Sequence, residues 1–346
     1  MLPAFGLYTH IRANRIRSVF LLTTLFMLIY ALTYAGALAG VAVTRNWRLE
    51  ALLYQAFEDF KMAFPLVTAA ALAWVAIGYF FNRQIIDAMI GGHSITRAEE
   101  PHLYDMLENL CISRGIKTPR LEILETDVPN AFATGVNERQ YSVTLTRGLI
   151  ATLTDEELEA VMAHELTHIR NGDVQMMVIA MVIAGVVAFV CELIFRGFGN
   201  VRWGSGNSRS SGDDGKGKGG AAAAIAIVLL IVATAWVLSL LIRFALSRTR
   251  EYLADAGAVE LTKNPDAMIS ALRKIDGKSE IPTAPSGIME MCIDNPREGF
   301  ADLFSTHPPI EARVQALIDY AGGRDVILED PKTKRRFRSP WSPAQS

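Results

Sequence analysis

Four stretches of this 346-residue chain are long enough, and free enough of charge, to cross a bilayer as helices. They run over about 18–44, 63–81, 176–195 (with Glu192 near its far end) and 221–242. Each covers roughly 30 Å at ~1.5 Å per residue. In lipid only a helix satisfies its own backbone over that distance, so the spans are helices. Composition agrees: 51% of residues are hydrophobic and 20% charged, a balance that favours membrane insertion. The formal net charge of −2 speaks against a nucleic-acid partner, which calls for a basic excess. Cys111, Cys191 and Cys292 lie far apart with no CxxC spacing, which fits neither a disulfide framework nor a sulfur zinc site and points to a reducing compartment.

The first span follows Arg12, Arg15 and Arg17, and its Ala35-Gly36-Ala37 resembles a cleavage site. Its apolar run is about twice the length of a signal-peptide core, so it reads as a retained anchor. Basic residues flanking spans stay in the cytoplasm, which places Arg12, Arg15, Arg17, Arg83 and Arg97 there. An even number of spans then returns both polar portions to the cytoplasmic side. The basic loop 196–220 resists that assignment, since full crossing of the third and fourth spans puts it outside; its Gly/Ser/Lys composition reads as a mobile connector. The resulting layout is a membrane hairpin over 1–94, a first soluble part over 95–173, a second hairpin over 174–246, a second soluble part over 247–325 and a polar tail over 326–346.

In the soluble part, 98–115 reads as an amphipathic helix with Leu103, Met106, Leu107 and Leu110 on one face. Residues 121–124 and 141–146 read as strands of a small sheet, antiparallel in part, with 130–135 between them. Thr154 and Glu157 form a capping box. The helix they open carries His164-Glu165-Leu166-Thr167-His168, an H-E-x-x-H pattern. Positions four apart on a helix share a face, so both imidazoles point into one space. Glu165 is offset and suited to act on water rather than on the metal.

Zinc catalysis needs a third protein ligand and an open fourth position. Glu251 and Asp255, i and i+4 on a helix that follows the fourth span, offer one carboxylate for the metal and one for the free N–H of a ligating histidine. A membrane hairpin brings that helix back to His164 and His168. His307, held by Pro308 and Pro309, can donate a hydrogen bond to an anionic oxygen. His10, His93 and His102 have no such company.

Together the H-E-x-x-H helix, residues 247–255 and Ser305-Thr306-His307-Pro308-Pro309 resemble the M48 peptidase family, in particular its HtpX branch of bacterial membrane proteases. The resemblance covers about 1–320. It implies a multi-pass α-helical membrane protein with an α+β zincin-like metalloprotease domain, and one Zn2+ bound by His164, His168 and Glu251. It further implies Glu165 as general base, Asp255 supporting a ligand, and His307 stabilising the transition state. Asn130, Ala131 and Phe132 fall in the family's substrate-binding edge strand. The implied activity is endopeptidase cleavage of unfolded or damaged membrane proteins at the cytoplasmic face of a bacterial inner membrane. The rivals are a non-catalytic zinc-binding scaffold or chaperone and a CAAX-type processing protease, although the CAAX enzymes have more spans. The linker 196–220 and the tail 326–346 depart from the family pattern.

Overall fold

The computed structural model describes residues 7–200, 218–244, 249–295 and 307–325. The chain divides into two compact units: residues 1–82 with 175–246, and residues 83–174 with 247–346.

The first unit is helical. Helix α1 runs Leu7–Thr44 and α2 runs Leu49–Ile90. Later in the chain come α6, Asp173–Asn200, and α7, Lys218–Phe244. Among the described residues, Ile16–Thr44, Leu49–Asn82 and Gly219–Leu238 are long and apolar enough to cross a membrane, and α6 contributes a shorter apolar stretch over Asp173–Ile183. Helix α2 is longer than the apolar run read from sequence because hydropathy reports the lipid-facing portion and not the helix. Its polar first turns, with Glu58 and Lys61 paired at 2.8 Å, continue the same helix. Leu25, Leu32, Ala35 and Leu38 of α1 are buried, as are Ala224, Val228 and Ala235 of α7, and the two helices pack together. Tyr30 fills the α1–α2 seam against Phe60 and Phe64. The connector reading of 196–220 is corrected at both ends. Residues 196–200 and 218–220 are helical, the former supported by the Arg196–Glu192 pair one turn apart. Residues 201–217 and the tail 326–346 lie outside the described residues.

The second unit opens with β1, His93–Ser94, and α3, Pro101–Arg114. Pro101 sits in the first turn, where its missing N–H costs nothing. Three strands follow: β2 Arg120–Leu124, β3 Ala131–Thr134 and β4 Ser142–Thr146. The sheet order is β1-β2-β4-β3, with β2 and β4 parallel and the other pairs antiparallel. Helices α4, Arg147–Thr152, and α5, Asp155–Asn171, come next. After the second membrane segment the unit is completed by α8 Thr249–Thr262, α9 Pro265–Ile275, α10 Ser286–Met289 and α11 Ile310–Ala321. Helix α5 lies at the centre, against β3, β4, α8 and α9. Leu121, Ile123, Val143, Leu145, Val161 and Met162 are fully buried in the core between them. Strand β4 has both faces buried. Its polar face survives burial because Ser142, Thr144 and Thr146 meet Thr134, Glu122 and the Asn130 carbonyl.

Candidate active site

Helix α5 is fixed at both ends by local chemistry. At its start the Thr154 side chain accepts from the Glu157 amide, and the Glu157 carboxylate accepts from the Thr154 amide at 2.8 Å. At its end Gly172 adopts φ 74°, a left-handed cap that glycine takes without strain. Between the caps the helix is buried almost throughout, His164, Glu165 and His168 included.

Helix α8 supplies the rest by coming very close. A Cβ on Gly257 would stand 2.4 Å from Thr167 Cγ2, so only glycine lets α8 pack this tightly on α5. One and a half turns earlier on α8, Glu251 reaches the two histidines. Its Oε2 lies 3.6 Å from His164 Nε2 and 3.7 Å from His168 Nε2. The two Nε2 atoms are 3.1 Å apart.

The outer ring nitrogens face carboxylates. Asp255 Oδ1 is 2.9 Å from His164 Nδ1, and Asp173 Oδ2 is 3.0 Å from His168 Nδ1. Each carboxylate draws the neutral ring's proton to Nδ1 and turns the Nε2 lone pair inward. Glu251 Oε2 is buried and, among the described residues, has no hydrogen-bond donor in bonding geometry. With each ring's proton drawn to Nδ1, two Nε2 lone pairs and the Glu251 carboxylate converge, an arrangement that suits a cation. The surrounding charge agrees. Glu165, Glu251, Asp255 and Asp173 are buried with Arg250 and Arg313, so carboxylates outnumber guanidiniums around the site.

The protonation equilibria show the same pull. Burial opposes charge on His168, yet Glu251 and Asp173 outweigh it and raise the imidazole to about 10. Burial would also raise Glu251, but His307 and His168 hold it well below the usual carboxylate range. Glu165 differs: burial pushes its carboxyl up, only partly countered by His164 and His168, and its Oε1 accepts no hydrogen bond from the described residues.

The expected residues fall as follows. His164, His168 and Glu251 come together as a possible metal site, with Glu165 beside them and Asp255 behind His164. His307 Nδ1 is 3.6 Å from Glu251 Oε1, and its Nε2 is 3.1 Å from the Glu290 carbonyl. Ala131 and Phe132 lie in β3, at the edge of the sheet. Asn130, Ala131 and Phe132 are all buried. Asn130 donates through Nδ2 to the carbonyls of Ser279 and Asp294, and the outer side of Ala131 accepts from the Ile293 amide at 2.9 Å.

Sequence reasoning missed Asp173, Arg250 and Arg313. Asp173 carried a signal, five residues beyond His168 and just past a glycine cap. So did Arg313, which falls on the apolar face of α11 between Ile310 and Val314. Arg250 binds the other oxygen of Glu251 at 3.1 Å and carried no signal beyond adjacency.

A multi-pass helical membrane protein with a small mixed sheet and an H-E-x-x-H helix completed by a distant glutamate is, as a class, a membrane metallopeptidase. The profile described as "Peptidase family M48" matches residues 97–321. A "Protease HtpX homolog" of Bacteroides fragilis is 37% identical over 322 residues, covering 90% of this chain and 98% of the relative. One of Listeria innocua is 38% identical over 320 residues, covering 90% and 99%. The crystal structure of S. mikatae Ste24p aligns with a TM-score of 0.44 at 19% identity, over 85% of this chain and 67% of that one. The chain belongs to peptidase family M48 and is a metalloendopeptidase. The family is zinc-dependent in general.

Proposed function

We propose that this protein is a zinc endopeptidase of the bacterial inner membrane that cleaves unfolded or damaged membrane proteins at the cytoplasmic face, as part of membrane-protein quality control. The observation that carries the reading is the grouping of His164, His168 and Glu251 within reach of a single ion, with Glu165 beside them on the same helix as the histidines. Three protein ligands leave the open position that distinguishes catalytic from structural zinc, which favours a protease over a scaffold. The basic residues before the first span and after the second support a cytoplasmic site.

His164, His168 and Glu251 hold the ion, and Asp255 and Asp173 keep both imidazoles presenting Nε2. When bound, zinc supplies Lewis acidity, lowering the pKa of water toward ~7 and polarising a carbonyl. Glu165 takes the proton from the attacking water and passes it to the leaving amine. His307 donates to the oxygen on which negative charge develops. For an extended substrate to add as a strand beside residues 130–132, the segment at Cys292 and Ile293 must first leave the outer edge of β3, which it covers.

Glu165→Gln in the purified full-length protein tests this. Zinc stoichiometry stays at the parent value, while cleavage of an unfolded membrane protein falls by about 10³-fold, within the range for loss of a general base. Cleavage at the parent rate would remove Glu165 from the mechanism. Labelling of the soluble unit in inverted but not right-side-out vesicles checks the cytoplasmic assignment.

A further inference from the structure

The segment that covers the outer edge of β3 sits there as an added peptide strand would. Cys292 pairs with Phe132 in an antiparallel bridge, and the Ile293 amide donates to the Ala131 carbonyl at 2.9 Å. Two residues before Cys292, the Glu290 carbonyl accepts from His307 Nε2 at 3.1 Å and from Arg250 Nη2 at 3.3 Å. Both donors stand against Glu251. His307 Nδ1 is 3.6 Å from its Oε1, and Arg250 Nε binds the same oxygen at 3.1 Å. A peptide carbonyl thus already takes the hydrogen bond that His307 would give to a substrate oxygen. Along this stretch Met291, Cys292 and Ile293 are buried.

We propose that residues 290–293 are a built-in pseudosubstrate, a segment that an incoming peptide must displace and whose side chains mark the class of peptide taken: extended, with uncharged apolar residues where Met291, Cys292 and Ile293 now lie. The inference rests on the reading above, in which β3 seats the substrate. A bare strand edge pairs with any chain that reaches it. Strand addition draws affinity from the main chain and specificity from the places given to side chains, and this segment uses both. Beyond it, the Ile293 carbonyl accepts from Arg313 Nη1 at 2.8 Å and the Asp294 carbonyl from Asn130 Nδ2 at 3.1 Å. The Ser279 hydroxyl donates to the Asp294 carboxylate. When the segment leaves, β3 keeps its pairing with β4. The competition is intramolecular, so it divides apparent affinity by the open fraction and leaves kcat alone.

The test uses the full-length protein with zinc in detergent micelles and a fluorescent, end-blocked peptide of the sequence Met289–Asp294. Binding is measured in Glu165→Gln, where the peptide survives, and in the same variant with Ile293→Pro added. Proline removes the amide that binds Ala131, and one hydrogen bond shifts the closed-to-open ratio by about 2- to 10-fold. The double variant is expected to bind the peptide tighter by that factor, and a peptide with lysine at its three apolar positions is expected not to bind. With Glu165 intact, Ile293→Pro lowers KM for an extended apolar peptide by the same factor at unchanged kcat. Asp294→Ala, which removes the acceptor of Ser279, shifts binding the same way and replaces Ile293→Pro if that variant does not melt cooperatively. Peptide binding that neither variant strengthens would overturn the proposal. So would loss of a cooperative melt in both, which would make the segment part of the folded core. If the parent cleaves no peptide, the peptidase reading fails, while binding in the Glu165→Gln variants still judges the pseudosubstrate.

Discussion

The two units invert each other's rules for polar groups. In the membrane unit large apolar side chains face outward, Phe20, Met62, Leu66 and Leu230 among them. Its hydroxyls turn back on their own helix, as Thr24 does to the Phe20 carbonyl and Thr33 to that of Ile29. In the catalytic unit charge is buried and binds element to element: Arg313 joins α11 to α8, and Lys274 joins α9 to α5. The difference follows from the surroundings. A hydrocarbon exterior gives an outward Phe no reason to hide and leaves helices to associate by packing. A watery exterior drives apolar groups inward, and a buried charge then persists only where it is paired or given a task.

The sharpest break of this contrast is Gly257→Ala. Helix propensity alone favours alanine over glycine by up to ~1 kcal/mol. The added Cβ, however, meets Thr167 at 2.4 Å, and Thr167 is locked by its bond to the Ala163 carbonyl at 2.8 Å. Overpacking of about 1–3 kcal/mol therefore wins, and α8 retreats with Glu251. The expected outcome is a loss of cleavage on the order of 10²-fold with weakened zinc binding, recovered in part by adding Thr167→Ala. Parent-like zinc titration and activity in Gly257→Ala would show that close helix approach does not set the site.

Legibility divided along the same line. The metal ligands could be read because helix geometry turns a spacing of four into a shared face, and the capping box at Thr154 marked where that helix starts. Sequence could not show that β2 pairs in parallel with β4 across an intervening strand, because the order β1-β2-β4-β3 depends on long-range contacts. Strand β1 is two residues long and leaves no pattern. Residues 141–146 could be read as a strand, but the burial of both its faces could not, because the hydroxyl partners that allow this come from neighbouring strands. Arg313 was overlooked because an arginine on a helix is ordinarily solvated, and only its place among Ile310, Val314 and Leu317 marked it as buried.

A moderate effect is expected at the staple between α5 and α9. Glu157 accepts from the Thr154 amide and also from Ser270 and Lys274, both at 2.6 Å. Burial raises its pKa, but Lys274, Ser270 and the Thr154 amide together outweigh that and leave it lowered. A carboxylate with a depressed folded pKa adds stability above its unfolded pKa, about 4.3, and loses it as pH falls through the folded value. Glu157→Gln should cost about 1.5–3 kcal/mol near neutral pH, typical of hydrogen bonds to a charged group, and next to nothing at the acid end. Thermal unfolding of parent and variant followed from pH 7 downward checks the convergence; parallel curves would show that the charge of Glu157 contributes nothing.

The smallest effect belongs to the membrane unit, where a polar contact resembles those just described but should matter least. Tyr30 and Thr68 bring their hydroxyls to 3.0 Å across the α1–α2 seam, yet Thr68 also binds the Phe64 carbonyl of its own helix at 2.7 Å. The contact is part-buried and neutral, and Tyr30 keeps its packing against Phe60 and Phe64 whether or not the hydroxyl is matched. Thr68→Val retains the shape and removes the polar link, so a loss of ~0.6 kcal/mol is expected, the average for hydrogen bonds between membrane helices. Unfolding by graded denaturing detergent measures it. A loss as large as that of Glu157→Gln would mean that this hairpin is held by polar contacts after all, and that the two units obey one rule rather than two.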